Sequence, residues 1–255
     1  MSERDQRLSV AVFGASVTAL VCGPRPEGEL HLTYPAVLAR QEVDGITFDV
    51  DTHSRIYGLI SGCSGIWMQP LAQTRPDVVV LQFGLGETFP RLVPKALIYH
   101  LLGVTRHTGR LRDIYWRRTR RILLAIHRAE RAIDRFLPVS WCRMSPARFR
   151  SELDMVCTKI REQIGSRIVL MTAYPATAPT PFLTDTMHRR LERVNAAILD
   201  VAATHGATVF PLDDVVADVG PGALPDGLHL SIQAHRAVGE QLARCLVTTA
   251  ARQVA

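Results

Sequence analysis

A serine, an aspartate and a histidine are the residues of this sequence whose types and settings could do covalent chemistry. Ser16 stands in Gly14-Ala15-Ser16-Val17-Thr18, directly after a short apolar run, and Asp226 and His229 stand together in Asp226-Gly227-Leu228-His229-Leu230. A serine at a strand-to-helix turn is exposed, and the helix that follows offers backbone amides and a positive dipole end to the oxyanion that its attack creates. An aspartate close before a histidine in a turn can fix the imidazole tautomer and stabilise the cation formed when the ring takes the serine proton. Glycines recur in Gly62-Cys63-Ser64-Gly65 and Gly84-Leu85-Gly86-Glu87, where the missing side chain lets backbone amides approach a reacting carbonyl. Taken singly, a Gly-x-Ser turn is usually only a turn, and an Asp-x-x-His pair is usually a helix cap beside a surface histidine. The order of these segments in a strand–helix framework makes the combination point to acyl transfer.

The elements that must position these residues can be read from apolar periodicity. Leu8–Phe13 is a β-branched run ending at Gly14, and Asp77–Phe83 is a second, introduced by Pro76 and closed by Gly84. Both have the continuous apolarity of strands buried on two faces. Tyr34–Val43 reads as a helix, followed by strands at Ile46–Asp51, Arg167–Thr172 and Ala207–Pro211. Phe149, Leu153, Val156, Ile160 and Ile164 share a helical face behind Ser145 and Pro146, a cap followed by proline at the first helical position. Met187, Leu191, Val194, Ile198 and Val201 do the same behind Thr184, and a last helix runs from about Ser231 to Val247. Strands alternating with helices predict an α/β domain with a mainly parallel sheet. In such a sheet functional groups collect outside the carboxyl ends of the strands, where these segments fall.

With the framework in place, the combination resembles the SGNH (GDSL-type) hydrolase superfamily, over nearly the whole chain outside an insertion. Phe13-Gly14-Ala15-Ser16-Val17-Thr18 looks like the first block of that family, with Ser16 in the nucleophile position and Ala15 where an aspartate is usual. Gly62-Cys63-Ser64-Gly65 resembles the second block, whose oxyanion-hole glycine would be Gly65. Val80-Leu81-Gln82-Phe83-Gly84-Leu85-Gly86-Glu87 looks like the third, usually Gly-x-Asn-Asp. Pro225-Asp226-Gly227-Leu228-His229-Leu230-Ser231, followed by His235-Arg236, matches the fifth block with its Asp and His. The resemblance implies a flavodoxin-like three-layer α/β/α sandwich around a five-stranded parallel sheet, a Ser16–His229–Asp226 triad, and an oxyanion hole formed by Ser16, Gly65 and Gly86. One departure matters. The third-block asparagine, whose amide helps hold the oxyanion, is Gly86 here, and the sole asparagine, Asn195, falls in a helix elsewhere. Losing one such donor typically costs about 10²–10³ in rate. Gln82 is a conceivable substitute, but its place in the strand aims it the wrong way.

Between the third and fourth strands the chain carries more than one helix's worth of sequence. Residues 91–140 read as an insertion in a single domain spanning 1–255, with a long helix over roughly Leu111–Leu137. Tyr115, Ile122, Ile126, Ala129, Ile133 and Phe136 recur on one face of that helix, and arginines occupy much of the rest. The apolar face must pack on something: the parent domain, as a cap, or a second copy in a homodimer through the 111–137 helix, or a lipid surface. The net charge of +6 comes almost wholly from arginine, with lysine only at Lys95 and Lys159. An Arg excess of this kind suits a solvated helix face or an anionic partner, such as an acyl donor carried on CoA or an acidic carrier protein.

Several function classes drop out. The five cysteines are scattered and form no CxxC pair, and the nine histidines form no HExxH, so neither a structural zinc site nor a metal enzyme is expected. Gly84-Leu85-Gly86 lacks the third glycine of a dinucleotide fingerprint, Phe89 standing in its place, and no phosphate-cradling GxxxxGK[ST] occurs. No cofactor is expected. No nucleic-acid-binding module accompanies the arginines, no apolar run is long enough to span a bilayer, and the charged N-terminus is unlike a signal peptide, which reads as a cytoplasmic protein. The leading expectation is a serine-dependent hydrolase of a small or carrier-bound acyl ester or thioester. An acyltransferase would use the same three residues, and a non-catalytic binding protein with a degenerate oxyanion hole is the reading that Gly86 motivates.

Overall fold

The computed structural model describes residues 6–19, 30–54, 58–63, 68–90, 122, 125, 126, 128–136, 142–174 and 184–251. The two most apolar runs of the sequence become the centre of the sheet. Strand β1 (Gln6–Gly14) pairs in parallel with β3 (Ile46–Ser54) on one side and with β4 (Val78–Gln82) on the other. Beyond β4 follow β5 (Arg167–Met171) and β6 (Thr208–Phe210), again parallel. A short strand β2 (Glu42–Val43) runs antiparallel along the free edge of β3, giving the order β2-β3-β1-β4-β5-β6. The parallel strands therefore follow the flavodoxin-like order, and the direction of the chain across the sheet reverses between β1 and β4.

Helices fill both faces. They are α1 (Ser16–Ala19), α2 (Tyr34–Leu38), α3 (Met68–Thr74), α4 (Leu85–Thr88), α5 (Pro146–Lys159), α6 (Asp185–His205), α7 (Leu212–Val219) and α8 (Ile232–Ala251). Right-handed crossovers put connections that step one way along the sheet on one face and those that step back on the other. Accordingly α5 packs on α6, while α8 packs on α2 and α7. Val78, Val79, Val80, Ile168, Val169 and Leu170 from the strands join Phe149, Leu153, Leu191, Val194, Val238 and Leu242 from the helices in one contiguous core. The helix starts read from sequence are in place: Ser145 Oγ accepts from Arg148 N at 3.2 Å, and Thr184 Oγ1 from Met187 N at 3.2 Å.

The sheet departs from expectation at one edge. It has six strands rather than five, because the expected helix Tyr34–Val43 stops at Leu38 and Glu42–Val43 turns back along β3. The reason lies in Asp44-Gly45, whose φ values of 53° and 74° make the tight turn of a two-residue hairpin. That turn signal outweighs the helical spacing of the preceding apolar residues. The last helix extends to Ala251, α5 continues into a π-helical turn at Ile160–Ile164, and α7 was not anticipated. Of the expected 111–137 helix, residues 128–136 are helical, and residues 91–121 lie outside the described residues.

At the end of β4 the backbone turns sharply through Gly84, at a φ of 117°. A Cβ there would stand 2.7 Å from Val194 Cγ1 and 2.9 Å from Ala173 Cβ, so both conformation and space demand glycine. Gly84→Ala is expected to lower stability by roughly 2–4 kcal/mol through combined strain and overpacking. The midpoint of urea denaturation measures this, and an unchanged midpoint would show that the turn relaxes freely.

Candidate active site

Ser16 sits where β1 ends and α1 begins, half-buried, on the carboxyl edge of the sheet next to the point where the strand order reverses. The turn that presents it is built by its neighbours. Thr18, fully buried, folds its hydroxyl back over Gly14 and donates to Gln82 Oε1 at 2.9 Å. A Cβ on Gly14 would lie 1.8 Å from that hydroxyl, so Gly14 is what makes room for it. Having spent its proton on Gln82, Thr18 Oγ1 accepts from the Tyr34 hydroxyl at 3.3 Å. Burial, partly offset by the Thr18 bond, raises the Tyr34 phenol far above its ordinary value and keeps it a neutral donor. Tyr34 N in turn donates to Nδ1 of His235 at 3.1 Å, and the two rings stack 6.1 Å apart. His235 lies in the first turn of α8, a few residues after His229. A buried chain of polar contacts thus runs from the end of β4 through the Ser16 turn to the segment that carries the histidine.

Asp226 and His229 are joined. His229 Nδ1 lies 2.8 Å from Asp226 Oδ2, while Asp226 Oδ1 accepts from the backbone N–H groups of Leu228 at 2.9 Å and His229 at 2.7 Å. The aspartate therefore shapes its own loop as well as holding the ring, and the plain helix-cap reading does not apply: the cap of α8 is Ser231, whose Oγ accepts from Ala234 N. The Tyr174 hydroxyl, just beyond β5, donates to the Leu228 carbonyl and fixes the loop on the carboxyl edge of the sheet. Burial pushes the Asp226 carboxyl up, but the His229 ring and the two amides outweigh it and hold it down at about 2. With Nδ1 engaged, Nε2 is the ring nitrogen left for a substrate or nucleophile. Ser16 and His229 share the edge but are not hydrogen-bonded to one another in this structure.

The third segment is anchored by Glu87, which is completely buried. Its carboxylate accepts from Gly84 N at 2.9 Å and from Ile60 N at 2.8 Å. One side chain thereby clamps the turn after β4 to the segment that leads into Gly62 and Cys63. Burial raises its pKa, against the opposing pull of the backbone amides and of Arg143. Gly86 lies in α4, and a Cβ added to it would meet only Gly58 O, at 3.8 Å. A Cβ is therefore tolerated at this position among the described residues.

The other candidates have definite places. Gln82 is 1% exposed, with its carboxamide oxygen turned onto Thr18 rather than into the cleft. Asn195 grips the backbone of Ala173 through both amide atoms, at 2.7 and 2.8 Å, and is fully spent there. Gly65 lies outside the described residues. Sequence reasoning missed the roles of Thr18, Tyr34, His235 and Glu87. For Glu87 the signal was present, since an acidic residue three positions after a helix-initiating turn is the reach-back half of a capping box.

A model of the GDSL-like lipase/acylhydrolase family matches residues 12–237. Among solved structures, one titled as TesA superposes with a TM-score of 0.57 at 17% identity, covering 92% of this chain and 95% of that one. The acetylxylan esterase Axe2 from Geobacillus stearothermophilus gives 0.60 at 14% identity, covering 93% of each chain. LAE5, a hydrolase from the metagenome of Lake Arreo, gives 0.59 at 14% identity, covering 96% and 98%. At these identities the likeness is one of fold. No curated protein sequence matches.

Two outcomes are expected. Thr18→Val leaves the buried Gln82 carbonyl without its donor and should cost about 1–3 kcal/mol, more than Tyr34→Phe, which removes one neutral bond. Thermal melts of the two variants give the ranking. For Asp226 the folded pKa of about 2 lies below the ordinary value of 3.8, so its contribution is complete above the unfolded value and is lost as the pH falls towards 2. The stability gap between wild type and Asp226→Asn in urea titrations should therefore shrink on acidification below about pH 4. A gap independent of pH would remove the ionised pair from the account.

Proposed function

Because the chain belongs to the GDSL-like lipase/acylhydrolase family and is an esterase-type hydrolase, we propose that Ser16 is its nucleophile, His229 its general base and acid, and Asp226 the carboxylate that orients the ring. The observation that carries the assignment is the Asp226–His229 hydrogen bond, formed on the same sheet edge as the turn that presents the half-buried Ser16. The Ser16 oxygen attacks the carbonyl carbon of an ester or thioester while its proton passes to Nε2 of His229. The imidazolium is balanced by Asp226, whose carboxyl stays ionised. The bond to the leaving alcohol or thiol then breaks, and His229 returns the proton to that group. Water, deprotonated by the same nitrogen, attacks the acyl-enzyme and releases the acid with Ser16 restored.

The oxyanion would be held by the backbone amides of Ser16, Gly65 and Gly86, without the side-chain amide usual in the third block. Restoring that amide is a direct test, because a Cβ at this position meets only Gly58 O, at 3.8 Å, among the described residues. Gly86→Asn should fold normally and raise kcat on a small acyl ester by about 10–100-fold, less than the full 10²–10³ because the cleft did not evolve around it. A drop in kcat would mean that the position receives part of the substrate. The substrate class is a small or carrier-bound acyl ester or thioester; acetyl esters are a natural first probe, since Axe2 is titled an acetylxylan esterase.

Labelling with a fluorophosphonate needs no knowledge of the substrate. Wild type should label at Ser16, and Ser16→Ala and His229→Ala should not. Hydrolysis in both variants should fall by at least about 10³. A folded wild type that takes no label would instead favour a binding protein. Diversion of product from free acid to a new ester or amide by added alcohols or amines would identify an acyltransferase.

A further inference from the structure

In the described part of the insertion helix, the face held against the domain is not the apolar one but a row about a quarter-turn away from it. Its buried residues are acidic: Glu130 is 2% exposed and Asp134 is 4% exposed. Asp134 accepts from Arg190 at 3.0 Å and from the Thr184 hydroxyl, and the same Arg190 donates to the Thr88 carbonyl at 3.3 Å. The face held against the domain is thus polar, fixed at the start of α6 and the end of α4. Most of the apolar row points to solvent: Ile122 is 48% exposed, Ile133 38% and Phe136 80%, with Ala129 exposed between them and Ile126 half-buried. A row of large apolar side chains facing water on one helix marks an interaction surface.

We propose that this face docks on an anionic lipid surface. Ile122, Ala129 and Phe136 recur every seventh residue, and each is directly preceded by an arginine, Arg121, Arg128 and Arg135. At 100° per residue Arg128 and Arg135 stand in a second row beside Ala129 and Phe136. Arg128 and Arg135 are exposed. Apolar and cationic rows side by side on one helix are the chemistry of an interfacial helix, whose aromatic and aliphatic groups enter the headgroup boundary while arginines meet lipid phosphates. A polyphosphate partner would leave the apolar row without use. A second copy packed antiparallel on the same row would bring like-charged arginine rows together. The net charge of +6 adds attraction in the same direction. Among the described residues no helix is long and apolar enough to cross a membrane, so the contact would be peripheral.

Sedimentation with vesicles of phosphatidylcholine alone and with phosphatidylglycerol mixed in tests this on the full chain. The wild type should pellet with the anionic vesicles, at least about ten-fold more strongly than with the neutral ones, and should be released by high salt. Phe136→Asp and the pair Arg128→Glu with Arg135→Glu should each abolish pelleting, while Phe136→Trp should retain or strengthen it. These positions are exposed, and thermal melts of each variant check that the fold is kept. Absence of binding to anionic vesicles overturns the proposal, as does binding that Phe136→Asp leaves intact. A wild-type dimer by light scattering that Ile133→Asp converts to monomer would overturn it too, identifying the row as a seam between copies.

Discussion

A fully buried carboxylate must find its hydrogen-bond donors inside the protein, and the shape of the reactive edge follows from where Glu87 finds them. It takes one amide from its own turn, Gly84, and one from a distant segment, Ile60. Unpaired, a charge at that depth would cost several kcal/mol, so the two segments are held at the separation one carboxylate spans. The same constraint explains Gly84, whose N–H must point inward while its backbone turns tightly between Ala173 and Val194. It also bears on Cys63, whose thiol is pushed well up by burial and by the nearby negative charge. Cys63 is therefore a packing residue at this edge and a poor nucleophile.

A second line of buried polar contacts does for the serine and histidine what Glu87 does for the glycine segments. Gln82, Thr18, Tyr34 and His235 come from β4, α1, α2 and α8, and each is almost wholly inaccessible. The donor order is fixed along the chain: Tyr34 gives its hydroxyl proton to Thr18, Thr18 gives its own to Gln82, and His235 receives the Tyr34 amide on Nδ1. A network with each proton committed has few alternative arrangements, which is the value of buried polar groups in specifying one geometry. It sets the turn that carries Ser16 and the start of the helix behind His229.

Much of this fold is legible in the sequence because its signals are local. Continuous β-branched runs become β1 and β4, and Ser145 and Thr184 cap their helices as their residue types require. The Asp226–His229 contact is legible for the same reason, since both partners sit in one turn. What escapes is long-range or competes with a stronger pattern. The hairpin at Asp44-Gly45 was hidden under a helical spacing of apolar residues. Tyr34 and His235 are 201 residues apart, and no periodicity links them. Asn195 could be placed in its helix from sequence, but its grip on Ala173 could not.

The insertion shows most clearly how tertiary electrostatics overrides amphipathic patterning. An apolar stripe on a helix is normally read as the buried side, since burying it gains roughly 25 cal/mol per Å². Here the buried guanidinium of Arg190 is the stronger demand. It lies between Asp134 and the Thr88 carbonyl with 8% of its side chain exposed, and Asp134 supplies it a buried carboxylate partner. Removing one partner of such a pair costs about 3–5 kcal/mol, more than the roughly 1.5–3 kcal/mol that burying one aliphatic side chain returns. The helix therefore settles acidic side inward, and its apolar row is left facing water beside its arginines. Arg190 also donates to the carbonyl of Thr88, the last residue of the short helix α4 that contains Gly86, so one guanidinium touches both the insertion helix and the segment beside the candidate site.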